Sequence, residues 1–138
     1  MPPRTVLGFD LGLRRIGVAA GQMITKTASA VSTLPARQGI PDWTRVAKLI
    51  KEWRPDALIV GIPLNMDGSE QAITLAARQF AATLQQQFKL PVYEADERLT
   101  TREARLQLSE QNDLKLFNHQ KIDSLAACLI VETWMGTQ

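Results

Sequence analysis

The chain has 138 residues, of which 45% are hydrophobic and 22% are charged. This length suits one domain with its own core, and the composition excludes the disordered and fibrous classes. Sixteen basic and fourteen acidic residues leave a formal charge of +2, which by itself implies no polyanionic partner. We therefore predict one globular domain spanning residues 1–138.

The charges are distributed unevenly along the chain. Residues 1–54 contain nine Lys and Arg against three Asp and Glu, whereas residues 55–138 contain seven against eleven. A molecule with a basic surface and an acidic site would show this asymmetry, and so would one with ordinary solvated helix faces.

Cysteine usage and hydropathy indicate the compartment. Cys128 is the single cysteine, which excludes an intramolecular disulfide and a cysteine-built metal site, and its apolar surroundings predict a buried, inert thiol. The longest apolar run, residues 57–64, is too short to span a bilayer, and no apolar leader precedes the first strand. We expect a soluble, cytoplasmic protein without a membrane partner.

The first predicted elements are strands. Residues Gly8–Ala20 predict a strand, a tight turn and a second strand, with Asp10 among apolar, β-prone residues and glycines at 8, 12 and 17. Lys26–Leu34 predicts a third strand, followed by a turn at Arg37–Pro41. An acid in such an apolar strand needs a partner, because its desolvation is costly.

Helices and strands alternate in the remainder of the chain. Asp42 is predicted to cap a helix that ends before Pro55. The predicted inner face of this helix contains Trp43, Val46, Ala47, Ile50 and Trp53. Its opposite face carries a basic stripe, which is either a nucleic-acid contact or a solvated helix face: Arg45, Lys48, Lys51 and Arg54.

The apolar run at residues 57–62 predicts a central strand buried on both sides. Helical spacing follows over residues 70–88, and a short strand over residues 90–93 ends in the acidic stretch 94–98. A capping box at Thr100 opens a third helix, and a polar segment at residues 111–120 precedes the last helix. This order predicts an α/β fold with a five-stranded mixed sheet, in which three antiparallel strands precede parallel βαβ units and helices cover both faces.

Three separate elements bring carboxylates toward one edge of this sheet. Asp10 lies in the first strand, Asp96 and Glu97 at the carboxyl end of the last strand, and Asp123 in the predicted first turn of the last helix. Hard oxygen donors without clustered Cys or His indicate Mg²⁺ or Mn²⁺, and two such ions could hold a phosphate between them.

Structural roles are the alternative for each acid. Asp10 would cap the turn, Glu97 would pair with a neighbouring arginine on the surface, and Asp96 and Asp123 would serve at helix ends. His119, the sole histidine, lies in the polar segment, where it is either solvent-exposed or a general base.

Basic residues beside the acids are candidate phosphate ligands. Arg14 and Arg15 lie in the predicted hairpin turn, which is also where exposed arginines commonly occur, and Arg98 directly follows the acidic pair.

Four segments resemble the motifs of the YqgF/RuvX family. They are GFDLGLRRIGVA at residues 8–19, VGIPLNMDG at 60–68, DERLTT at 96–101 and KIDSLAA at 121–127. They occur in the family's order and span nearly the whole chain. The resemblance implies an RNase H-like fold related to Holliday-junction resolvases, and a hydrolase that acts on ester bonds.

The resemblance also implies a substrate and a site. The substrate would be pre-16S rRNA, processed at its 5′ end during ribosome biogenesis. One alternative is a DNA four-way junction resolved by a homodimer. The basic stripe indicates another, a non-catalytic ribosome-assembly or transcription factor that binds nucleic acid. Asp10, Glu97 and Asp123 would be catalytic and hold the metal with Asp96, while Lys121 would join the arginines in binding substrate.

The chain differs from the classical resolvases at two points. The strand at residues 57–62 contains no acid, and Gln120 stands where those enzymes have a second acid in the last helix. Glu97 would have to replace the missing strand acid.

Overall fold

The computed structural model describes residues 4–65, 67–97 and 119–138, with the backbone alone for residues 119–122. In these ranges the elements are, in chain order, β1 (Thr5–Leu11), β2 (Arg15–Gln22), β3 (Thr27–Arg37), β4 (Ile40–Pro41), α1 (Trp43–Trp53), β5 (Ala57–Ile62), α2 (Ala72–Phe88), β6 (Val92–Asp96) and α3 (His119–Gly136).

The strands form one mixed sheet in the order β4-β3-β2-β1-β5-β6. Strands β1 to β4 pair antiparallel, whereas β5 pairs parallel with both β1 and β6. The predicted mixed α/β sheet is therefore confirmed, with six strands instead of five.

The additional strand, β4, forms where the sequence predicts only a turn. Gln38 and Gly39 both adopt positive φ, 54° and 80°, which is the backbone twist of a two-residue hairpin turn. This turn directs Ile40 and Pro41 back along β3, so that β3 also extends beyond its predicted end at Leu34.

Helices cover both faces of the sheet and create two separate cores. Alternate residues of β1 point to opposite faces: Leu7 and Phe9 pack under α1 and α2, whereas Val6 packs under α3. Every residue of β5 is buried, which confirms that it is a central strand. In the first core, the Phe80 ring contacts Phe9 edge-on at a centroid distance of 5.3 Å and stacks on Trp43 at 5.2 Å.

Helix α1 is rotated slightly from its predicted orientation. Val46 is fully buried, and the core also contacts Leu49, which the sequence prediction omitted. Ala47 and Trp53, predicted to face inward, are exposed, since the sheet contacts the helix on the side of Leu49. Asp42 caps α1 as predicted, because its Oδ1 accepts a hydrogen bond from the Thr44 N–H at 3.0 Å.

Helix α3 begins earlier than predicted. His119 and Gln120, assigned to a polar segment, are its first two residues, so Asp123 lies beyond the first turn. The macrodipole effect is confined to the first turn, so the predicted place of Asp123 within reach of it is wrong. The predicted helix from Thr100 and the polar segment up to residue 118 lie outside the described residues.

Two further expectations concern α3 and the membrane. Cys128 is buried in α3 as predicted, and burial, with a smaller contribution from Glu132, raises the pKa of its thiol to about 11.

Among the helices that the structure describes, none is both long and apolar enough to cross a bilayer.

Candidate active site

One row of residues across the sheet centres on Asp10. In β1, Asp10 pairs with Gly17 of β2 on one side and with Gly61 of β5 on the other. Paired residues point to the same sheet face, and this row is in phase with Val6 and Ile59, which pack under α3. Asp10 therefore lies inside a strand and faces α3, and it is not in the turn.

Gly61 leaves the space that Glu97 occupies. A Cβ atom at Gly61 would overlap Oε1 of Glu97 and would lie 2.7 Å from Cδ1 of Ile130. Glu97 follows β6 directly, and it is only 6% exposed. Glu97 is therefore a buried acid and not a surface one. Its carboxyl covers β5 at Gly61, one strand away from Asp10, in the space that a side chain at residue 61 would have filled.

Gly17, on the other side of Asp10, also leaves space for a neighbouring segment. A Cβ atom there would overlap the backbone carbonyl of Asp123 and would lie 3.0 Å from the amide nitrogen of Ser124. The absence of a side chain at Gly17 therefore lets α3 rest on β2 at Asp123. Neighbouring strands are about 4.8 Å apart, so Asp10 has an acid-bearing segment one strand away on each side.

Arg15 forms an ion pair with Asp123. The distance from its Nε to Oδ2 of Asp123 is 2.8 Å, and the two side chains are 40% and 27% exposed. Arg15 lies two residues before Gly17 in β2 and so faces α3 as well. Arg15 is predicted from the sequence to bind phosphate, and its pairing with Asp123 is not, although the alternation of a strand places Arg15 and Gly17 on one face.

The other predicted site residues lie elsewhere. Asp96 pairs with Ile62, whose side chain belongs to the core under α1 and α2, so the structure places Asp96 on the face opposite Asp10. Arg14 is exposed in the β1–β2 turn. Arg98 and the side chain of Lys121 are outside the described residues.

The basic stripe on α1 is also distant from this row. Its four side chains are exposed, and α1 packs on the sheet face opposite Asp10. The stripe and the acids therefore lie on opposite sides of the sheet.

The acids suit a hard divalent cation by chemistry and by position. All three acids are carboxylates, which are the ligands that hard cations prefer, and the glycines on either side of Asp10 make room for the carboxyl of Glu97 and for the backbone of Asp123. In the part of the chain that the structure describes, however, no three Asp, Glu, His or Cys side chains are close enough together to hold a metal ion. A coordination shell built from these three carboxylates would require some of the side chains to rotate.

Solved structures share this fold. Thermus thermophilus RuvC in complex with a Holliday junction substrate superposes with a TM-score of 0.58 at 18% identity, covering 96% of each chain. The fowlpox virus Holliday junction resolvase gives a TM-score of 0.59 at 14% identity, covering 96% of this chain and 98% of that one. These likenesses confirm the RNase H-like fold class.

Curated relatives are much closer in sequence. A Haemophilus ducreyi protein named "Putative pre-16S rRNA nuclease" is 51% identical over 130 residues, which is 94% of each chain. The protein of that name from Coxiella burnetii is 52% identical over 132 residues, covering 96% of this chain and 92% of the relative. The family model described as RuvX, Holliday junction resolvase, matches residues 4–137. Since that match extends over nearly the whole sequence, the chain belongs to the RuvX (YqgF) family.

Proposed function

We propose that the chain is a metal-dependent nuclease that hydrolyses phosphodiester bonds in structured RNA, acting at the 5′ end of pre-16S rRNA in the cytoplasm. The observation that carries the proposal is the row of Gly17, Asp10 and Gly61, which Asp123 and Glu97 cover from above. The names of the relatives support the choice of substrate.

Asp10, Glu97 and Asp123 would hold Mg²⁺ or Mn²⁺. The bound cation would stabilise the negative charge that develops on the phosphate during hydrolysis. Asp10 is fixed by a central strand that pairs on both sides, so it is the rigid reference point of the set. Glu97 is shielded from water, which strengthens its attraction for a cation. Arg14, exposed in the adjoining turn, would contact the phosphate backbone.

Cleavage of precursor rRNA with and without Mg²⁺ or Mn²⁺ tests this function. Asp10→Asn should abolish cleavage while the protein remains folded, because it removes a ligand charge without a change of shape. Asp42→Asn is the matched control, since it makes the same chemical change at the α1 cap on the opposite sheet face. Cleavage that persists in Asp10→Asn would contradict the proposal.

Junction resolution is the second candidate, favoured by the description of the family model and by the fold shared with RuvC. Resolution of a four-way junction needs two active sites on paired strands, hence a symmetric dimer. A four-way DNA junction assayed beside precursor rRNA separates the two substrates. A protein that is strictly monomeric at micromolar concentration would argue against resolution.

A non-catalytic nucleic-acid-binding factor is the third candidate, favoured by the exposed basic stripe of α1. It predicts salt-dependent binding without cleavage, because phosphate contacts release counterions. Neutralising Lys48 and Lys51 together would weaken that binding, whereas Asp10→Asn would leave it intact.

A further inference from the structure

We propose that Arg15 is an exchangeable counter-ion of the active site: its guanidinium occupies the cation position beside Asp123, and a divalent metal ion displaces it. This inference rests on the proposed function, because it assumes that Asp123 is a metal ligand. It accounts for the engagement of Asp123 by Arg15 in a structure whose described residues contain no group of acids that could hold a metal ion.

The backbone fixes the position from which Arg15 reaches Asp123. Arg15 is the first residue of β2, its carbonyl oxygen accepts a hydrogen bond from the Gly12 N–H at 2.9 Å, and it pairs with Pro35 of β3. Gly17, two residues further along the same strand face, supports the backbone of Asp123. Strand and helix thus bring the two side chains together, although 108 positions separate them in the sequence.

The exposure of the pair makes it suited to exchange. Buried ion pairs are costly to break, whereas exposed pairs contribute little net stability and are screened by salt. Arg15 and Asp123 are 40% and 27% exposed, so water can replace either partner as the pair opens. A divalent cation carries twice the charge of the guanidinium, so it competes effectively for the same carboxylate.

Displacement has a consequence for substrate binding. Once Asp123 turns to the metal ion, the guanidinium of Arg15 is released next to Arg14, at the turn that borders the acid row. A phosphate could then take the place of the carboxylate on Arg15, through the charge-assisted hydrogen bonds that arginine makes with either group. Metal ion and phosphodiester would therefore each favour binding of the other.

Mn²⁺ binding to the intact protein, measured by calorimetry without nucleic acid, tests the exchange. Removing the competing cation in Arg15→Gln should tighten Mn²⁺ binding about two- to tenfold at low salt, and less at high salt. Arg14→Gln is the matched control, because it removes the same charge from the neighbouring residue and leaves the ion pair in place. It should change the affinity by less than about twofold, the scale of an exposed, screened charge.

A second measurement needs no substitution at Arg15. The Nε–H group of Arg15 donates to Asp123, so its NMR signal should shift as Mg²⁺ is added to the wild type and stay unchanged in Asp10→Asn. The exchange is overturned if Mn²⁺ binds Arg15→Gln no more tightly than the wild type, or if saturating Mg²⁺ leaves the Nε–H signal in place. Absence of any binding that depends on Asp10 would overturn the proposed metal site as well, which separates the two failures.

Discussion

Gly61→Ala should disable the site at a modest cost in stability. The new Cβ would overlap the carboxyl end of Glu97 and would lie 2.7 Å from Cδ1 of Ile130. Ordinary contacts between such atoms are about 3.5 Å, so the carboxylate must move by about 1 Å. A displacement of that size at a reacting centre costs about 100-fold in rate. We expect cleavage by Gly61→Ala to be slower by about that factor, with weaker Mn²⁺ binding.

Gly8→Ala supplies the matched control. Gly8 lies two residues before Asp10 on the same face of β1, and a Cβ atom there would overlap Cγ2 of Val131. Overpacking of this kind costs about 1–3 kcal/mol, and a β-branched neighbour has few rotamers with which to relieve it. Gly8→Ala should therefore be at least as destabilised as Gly61→Ala and yet retain activity.

The assay combines urea unfolding with single-turnover cleavage at a temperature where both variants are folded. Unfolding gives the stability cost of each added methyl group, and cleavage gives the effect on the site. If Gly61→Ala cleaves precursor rRNA and binds Mn²⁺ as well as Gly8→Ala does, then Glu97 does not act from its place above Gly61, and the assignment of this site is wrong.

The remaining predictions concern stability. Truncation of Phe80 to Ala should lower the free energy of unfolding by about 3–5 kcal/mol in urea titrations, because it empties the core between Phe9 and Trp43. The pKa of Cys128 is about 11 in the folded protein, against an ordinary value of 9.0. The contribution of the protonated thiol to the free energy of unfolding is therefore complete below pH 9.0 and is lost as the pH rises toward 11. Wild type should thus lose stability relative to Cys128→Ala over that range, and equal pH profiles would refute it. Asp56 accepts hydrogen bonds from the backbone N–H groups of Thr5 and Arg4, and these bonds lower its pKa from 3.8. The stability advantage of wild type over Asp56→Ala should therefore be present above pH 3.8 and shrink on acidification below it.

Local patterns in the sequence predicted most of the sheet. Three patterns depend only on neighbouring residues and can be recognised within a short stretch of sequence. They are the apolar residues before Asp10, the continuous apolar run of β5 and the alternation of helices and strands after it. The two-residue strand β4 escaped notice because its turn, Gln38–Gly39, is too short to interrupt a composition pattern.

The site was harder to predict, because its geometry depends on contacts between distant segments. The glycines at 17 and 61 were visible, but what they accommodate, the backbone of Asp123 and the carboxyl of Glu97, depends on how α3 and β6 pack on the sheet. The Arg15–Asp123 pair likewise depends on how two segments that are 108 positions apart in the sequence pack together. Asp96 and Glu97 are adjacent acids that were both predicted to bind metal, and the strand register places Asp96 on the face opposite Asp10.

The position of α3 after all the strands in chain order has a consequence for the timing of activity. This helix packs on β1, β2 and β3, which are made first, and it supplies Asp123. At a synthesis rate of about 5–20 residues per second, on the order of 5 to 20 s pass between translation of Arg15 and of Asp123. Throughout that interval Asp10 has neither α3 above it nor the third carboxylate beside it. For the nuclease proposed above, a nascent chain whose α3 has not yet been translated lacks Asp123, so cleavage begins only after that helix has been made.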